Sequence, residues 1–177
     1  AQPYYKKDGS LTSHAKKAVY PADVQPKFDG VRCIARRDGG EVKLFSRAGK
    51  LYDVPHVAQQ LERWLPEGME LDGELYIHGR SLQQITSLVK RPRPESFALR
   101  YQVYDVPRFR VSTDVWRVRC DWLKRNLTET ASVKRVHHLS ADDEGMVRAV
   151  HERFVERGFE VVGGDVLWNT RRVHGSS

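Results

Sequence analysis

The stretch "MELDGELYI" (69–77) fixes one local backbone and divides it into two chemical faces. Met69, Leu71, Gly73, Leu75 and Ile77 alternate with Glu70, Asp72, Glu74 and Tyr76. Successive side chains of a β-strand point to opposite faces, so one face is apolar and the other carries three carboxylates. Three like charges spaced two apart repel. A lysine, an arginine or a divalent metal is therefore expected to meet that face. The competing reading is a solvated outer sheet face. Gly73 tells against it, because glycine inside a strand often marks the close approach of a ligand or another backbone.

The elements around this strand alternate. Val31, Cys33 and Ala35 interleave with Arg32, Ile34 and Arg36, "DGG" follows at 38–40, and "VKLF" comes next. That order predicts a β-hairpin. "HVAQQLERWL" has Val57, Leu61, Trp64 and Leu65 at helical spacing, with Pro55 near its start. "SLQQITSLVKR" predicts a short helix with Ser81 as N-cap. "FALRYQVYDV" predicts a strand, "DVWRVRCDWLKRNL" and "SADDEGMVRAVHERFVERG" helices, and "FEVVGGDVLW" a closing strand. Strands interrupted by helices predict an α+β domain of antiparallel sheets flanked by helices. Residues 1–20 read as a basic, loosely structured extension, and residues 21–177 as the domain proper.

The 177 residues suffice for one sizeable core, and 40% hydrophobic with 30% charged residues predicts a soluble, globular chain. No apolar run is long enough to span a membrane, and the polar N-terminus predicts no signal peptide. Cys33 and Cys120 make neither a disulfide framework nor a zinc-ligand spacing, so a reducing, cytoplasmic setting is expected. A net charge of +7 favours an acidic partner such as nucleic acid.

"VQPKFDGVR" (24–32) interrupts an apolar, strand-like run with Lys27, Asp29 and Gly30. Pro26 and Phe28 on either side predict partial burial of an ammonium, which is costly without a purpose. K-x-D-G alone is a weak pattern. Here "SRAGK" follows at 46–50, "LDGELY" at 71–76, "YQVYDV" at 101–106 and "GFEVV" at 158–162.

In that order these segments resemble the motifs of the covalent nucleotidyltransferase superfamily, and most closely the adenylyltransferase domain of phage and bacterial ATP-dependent DNA ligases. The resemblance spans roughly residues 20–162. It implies a ligase-type (ATP-grasp-like) nucleotidyltransferase domain in which Lys27 attacks the α-phosphate of ATP. A protonated amine cannot attack, so a semi-buried, cation-lined pocket is expected around such a lysine. Arg32 and Arg47 would hold ribose and phosphates, where a planar guanidinium suits the geometry. Glu74 would meet the ribose or a metal ion, and Glu160 would join it as a metal and nucleotide contact. Tyr104 would stack on the purine, Gln25 would read the adenine edge, and Asp29 would orient the loop. Mg²⁺ would offset charge on the leaving pyrophosphate. The implied partners are ATP and nicked duplex DNA, with the chain acting as a monomer in the cytoplasm of a bacterial or phage-infected cell.

"EGMVR" (144–148) imitates the family's fourth motif, but Ser140 and Asp143 read as a capping box and Val147, Val150, Phe154 and Val155 continue at helical spacing. Glu144 is then a first-turn acid, and Glu160 the better candidate. Val161 stands where the family has glycine, the end "LWNTRRVHGSS" has no K-x-K, and no oligonucleotide-binding (OB) domain follows. Arg171 and Arg172 offer charge at another spacing. These departures predict weak activity for this chain alone. They keep open a catalytically impaired ligase-like protein that binds nucleic acid or a partner, and an RNA ligase or capping-type enzyme.

Overall fold

The computed structural model describes residues 2–3, 5–6, 8–13, 15–108, 116–157 and 166–170. The strands are β1 (Gln2–Pro3), β2 (Ala22–Pro26), β3 (Val31–Asp38), β4 (Glu41–Phe45), β5 (Leu51–Tyr52), β6 (Glu70–Tyr76), β7 (Arg100–Arg108), β8 (Val133–Arg135), β9 (Leu139–Ala141) and β10 (Val166–Thr170). The helices are α1 (Pro55–Glu62), α2 (Leu82–Lys90), α3 (Trp116–Asn126) and α4 (Glu144–Glu156). The chain forms two compact units, Asp29–Val136 and the pair of segments Ala1–Phe28 and His137–Ser177.

The unit Asp29–Val136 is built on a six-stranded sheet of order β5-β4-β3-β6-β7-β8, antiparallel except for the β7–β8 pair. The β3–β4 hairpin turns on Gly39 and Gly40, whose φ values of +63° and +85° only glycine adopts without strain. Glu67 steadies the turn by accepting both glycine amides. In β6 the alternation holds: Leu71 and Leu75 are fully buried, while Glu70, Asp72 and Glu74 are half-buried.

Tyr101 lies fully buried under the sheet, its hydroxyl 2.9 Å from the Cys33 carbonyl and 3.2 Å from that of Leu71. It thus donates between β3 and β6 from β7. Gly73 makes this possible. A Cβ there would stand 2.4 Å from the Gln102 carbonyl and 2.7 Å from the Tyr101 ring. The close approach that Gly73 signals is therefore to a neighbouring strand.

The helices cover the sheet. Pro55 opens α1, which buries Val57 and Leu61. It ends at Glu62, short of the predicted Leu65, where the Arg37 guanidinium takes the carbonyls of Glu62 and Leu65 at 2.8 and 2.7 Å. Ser81 caps α2 in a reciprocal box with Gln84. α3 buries Cys120 and Leu123, and burial pushes the Cys33 thiol up.

The other unit holds a four-stranded antiparallel sheet, β1-β10-β2-β9. Val24 and Ala141 of that sheet pack with Val147 and Val150 of α4. Tyr5 and Ala15 are buried in the same cluster, so the N-terminal stretch read as loosely structured supplies core side chains. The cap of α4 also differs from expectation. Ser140 lies in β9, and Asp143 is the N-cap, accepting from the Met146 amide at 2.8 Å. A carboxylate one residue before the helix satisfies its orphan amide, whereas Ser140 is already committed to pairing with Asp23 of β2. Glu144 is then an exposed first-turn acid, and "EGMVR" is helical. No helix among the described residues is long and apolar enough to cross a membrane.

Candidate active site

Glu74 projects from the acidic face of β6, and two segments converge on its carboxylate. The Gly30 amide donates to Oε1 at 3.1 Å. Gly30 closes the K-x-D-G motif, and its fit explains the glycine. A Cβ there would stand 2.4 Å from the Leu75 carbonyl and 2.9 Å from Cγ of Glu74. Both neighbours belong to β6, so only a bare Cα lets the loop dock against that strand.

The second partner is Tyr104, whose hydroxyl donates to Oε2 at 2.5 Å. Gln102 stands opposite Glu74, so an unbroken ladder would place Tyr104 opposite Asp72. Asp105 takes that place instead. Tyr104 is the extra residue of a β-bulge, and the bulge re-aims its side chain towards Glu74. Burial, and then the charge and hydrogen bond of Glu74, raise its hydroxyl well above the ordinary phenol range. Tyr104 therefore stays protonated and acts as a donor.

Arginines meet the rest of the acidic face, as the charge repulsion predicted. Arg32 forks onto Asp72, with Nε to Oδ1 at 3.0 Å and Nη2 to Oδ2 at 2.5 Å. Arg36 grips Glu70 from directly across β3, at 3.0 and 2.6 Å. Arg119 of α3 holds Asp105 at 2.8 and 3.0 Å. The pull of Arg32 does not win at Asp72: burial raises this carboxyl above its ordinary range, outweighing the lowering by the guanidinium. Arg119 carries no signal in the sequence, where nothing links an α3 arginine to a β7 aspartate. Arg36 was legible as the alternate partner of Arg32 on β3.

The other expected site residues stand elsewhere. Arg47 is exposed on the turn 46–50, where the Ser46 hydroxyl accepts from the Lys50 amide at 2.9 Å. It does not enter the hydrogen-bonded group around Glu74. Gln25 and Lys27 belong to the other unit, Gln25 buried on β2 and Lys27 directly after it. Lys27 corrects an expectation. Pro26 and Phe28 are buried, yet Lys27 itself is exposed. Every residue of β2 is buried, and exposure begins as soon as the strand ends, so Lys27 escapes the desolvation that full burial would impose on an ammonium. Glu160, Arg171 and Arg172 lie outside the described residues.

Residues 7–162 match the family model described as the ATP dependent DNA ligase domain. This chain belongs to that family. The DNA ligase of African swine fever virus is 27% identical over 153 residues, covering 77% of this chain and 34% of the viral protein. A probable DNA ligase of an Anaeromyxobacter strain is 36% identical over 77 residues, 41% of this chain and 14% of its own length. The solved structure of Chlorella virus DNA ligase-adenylate superposes with a TM-score of 0.65 at 22% identity, over 90% of this chain and 56% of that one. The ligase-family chain thus spans about a third, 34%, of the length of the viral relative it matches. The α+β class read from the strand and helix order is the fold of these ligases.

Proposed function

We propose that this ligase-family domain forms lysyl-AMP on Lys27 and, within the whole protein, supports the sealing of nicked duplex DNA. The observation that carries the reading is the group Gly30–Glu74–Tyr104. It joins the K-x-D-G loop, the acidic strand and the bulged aromatic, three separated motifs, at one carboxylate. Lys27 and Gly30 are three residues apart, so chain connectivity keeps their Cα atoms within about 11 Å.

In the first step the lysine amine attacks the α-phosphorus of ATP. A P–N bond forms, the bond to pyrophosphate breaks, and the amine loses its proton. Transfer of AMP to a 5′-phosphate and attack by a 3′-hydroxyl would complete sealing. Tyr104 would stack on the purine and Gln25 read its edge. Arg32 uses Nε and Nη2 on Asp72, so its phosphate contact would come from Nη1. Arg47, exposed on its turn, would reach a phosphate by the same bidentate chemistry.

A Mg²⁺ ion fits this donor set. Such ions commonly take one or two carboxylates plus substrate phosphates. A carboxylate has about four lone-pair sites, and the Gly30 amide and the Tyr104 hydroxyl bond one to each oxygen of Glu74. Glu74 would hold the ion, with Glu160 as second ligand, and the ion would offset charge on the pyrophosphate. The net charge of +7 supports contact with DNA phosphates, by a monomer working in the cytoplasm of a bacterial or phage-infected cell.

Intact-protein mass spectrometry after incubation with ATP and Mg²⁺ tests the reading. One added AMP is expected on the wild type and none on Lys27→Ala. A label that survives in Lys27→Ala removes Lys27 as the nucleophile. ATP binding with no label on the wild type replaces this reading with a binding-only ligase-like protein.

A further inference from the structure

A glutamate side chain has three rotatable bonds, and one amide contact does not hold its carboxylate plane. At Glu74 a second donor arrives on the other oxygen, from a residue that a bulge and partial burial hold in place. The Gly30 loop that receives this ordering has no slack: Gly30 lies against Leu75 and Glu74 so closely that even a methyl group finds no room. A turn of the carboxylate is therefore passed to the loop.

We propose that the Tyr104 hydroxyl, acting through Glu74, is a positioning group for the K-x-D-G loop, separate from any stacking by the Tyr104 ring. Glu74 is then a positioning residue as well as a nucleotide contact. The inference rests on the lysyl-AMP reading for its kinetic consequence, but the contact itself is measurable without catalysis.

Tyr104→Phe keeps the ring and removes the hydroxyl. Solvent exchange of the Gly30 amide, followed by NMR, is expected to speed up roughly tenfold or more, the loss of one charge-assisted hydrogen bond. Amides within β6 should keep their protection. Single-turnover labelling of Lys27 should slow roughly tenfold through misplacement of the loop. The dissociation constant for ATP should move less than about twofold, since the stacking surface remains. Glu74→Gln can still accept from Gly30 and meet the Tyr104 oxygen, so Gly30 protection should stay near wild type. Glu74→Ala should lose that protection, and this pair carries the test if Tyr104→Phe does not fold.

Unchanged Gly30 exchange in Tyr104→Phe, or labelling at the wild-type rate, would overturn the proposal. A wild type that binds ATP without labelling would overturn the lysyl-AMP reading instead, and Gly30 exchange would still decide the positioning role.

Discussion

Arg32 and Asp72 meet diagonally across β3 and β6, joined through both Nε and Nη2, although Arg32 stands directly opposite Glu74 in the ladder. The fork leaves half of the Arg32 side chain exposed, at 52%, while Asp72 is 17% exposed. Asp72 therefore bears most of the desolvation, which is why burial outweighs its arginine and its carboxyl titrates high.

That balance has a definite pH signature. A group with a raised folded pKa contributes stability that is fully present below its unfolded value and is lost as pH rises through the folded one. In Arg32→Gln both lowering influences of the guanidinium disappear, so Asp72 should titrate higher still. The stability deficit of the variant should grow between about pH 4 and about pH 7. Carboxyl NMR titration and urea unfolding at the two pH values measure this. A deficit that shrinks with rising pH would contradict the assignment.

Gly30→Ala should fold and fail in function. The added methyl would meet backbone at 2.4 Å, so the loop must lift from β6 and lose the Glu74 contact. Lysine labelling should fall on the order of a hundredfold, with far-ultraviolet circular dichroism unchanged. Labelling at the wild-type rate would show that loop docking is irrelevant to the chemistry.

Tyr101→Phe isolates a purely structural hydroxyl. Its loss strips a buried donor from the carbonyls of Cys33 and Leu71. Urea unfolding should show a loss of about 1–3 kcal/mol. A neutral result would mean that those carbonyls are satisfied without it.

The cap of α4 separates two neighbouring residues. Asp143→Ala should cost about 1 kcal/mol, the usual value for an N-cap. Ser140→Ala, in β9, should cost less than Asp143→Ala, because Ser140 is not the cap. Thermal unfolding of the two variants gives the order, and the reverse order would restore Ser140 as the cap.

Binding to duplex DNA should depend on phosphates and therefore on salt. With a net charge of +7, affinity should fall linearly on a log–log plot as salt rises, without preference between sequences. Fluorescence anisotropy over a salt series measures the slope. A flat plot would exclude a phosphate-led mode.

Local patterns carried most of the fold and part of the site. The alternation in 69–77, the "DGG" hairpin, the Ser81 cap and the helical reading of "EGMVR" each depend on contacts a few residues apart. A single sequence displays such periods directly, because the 2.0 and 3.6 repeats are set by the backbone itself. The order of short motifs likewise points to the ligase family, and Gly30, Arg32, Glu74 and Tyr104 stand out in it by residue type and position alone. What the tertiary structure decided is pairing across long separations. Arg32 and Asp72 are 40 residues apart, Gly30 and Glu74 44, and Tyr104 and Glu74 30. Register brings such partners within reach without fixing the pair: Arg32 faces Glu74 yet forks onto Asp72, and one extra residue at the β7 bulge sends Tyr104 to Glu74 when strict alternation would set it opposite Asp72. The same applies to solvent exposure. Lys27 between two buried neighbours looks buried in the sequence, yet the residue is exposed where β2 stops, an outcome set by where the strand ends in the fold, which no local pattern records.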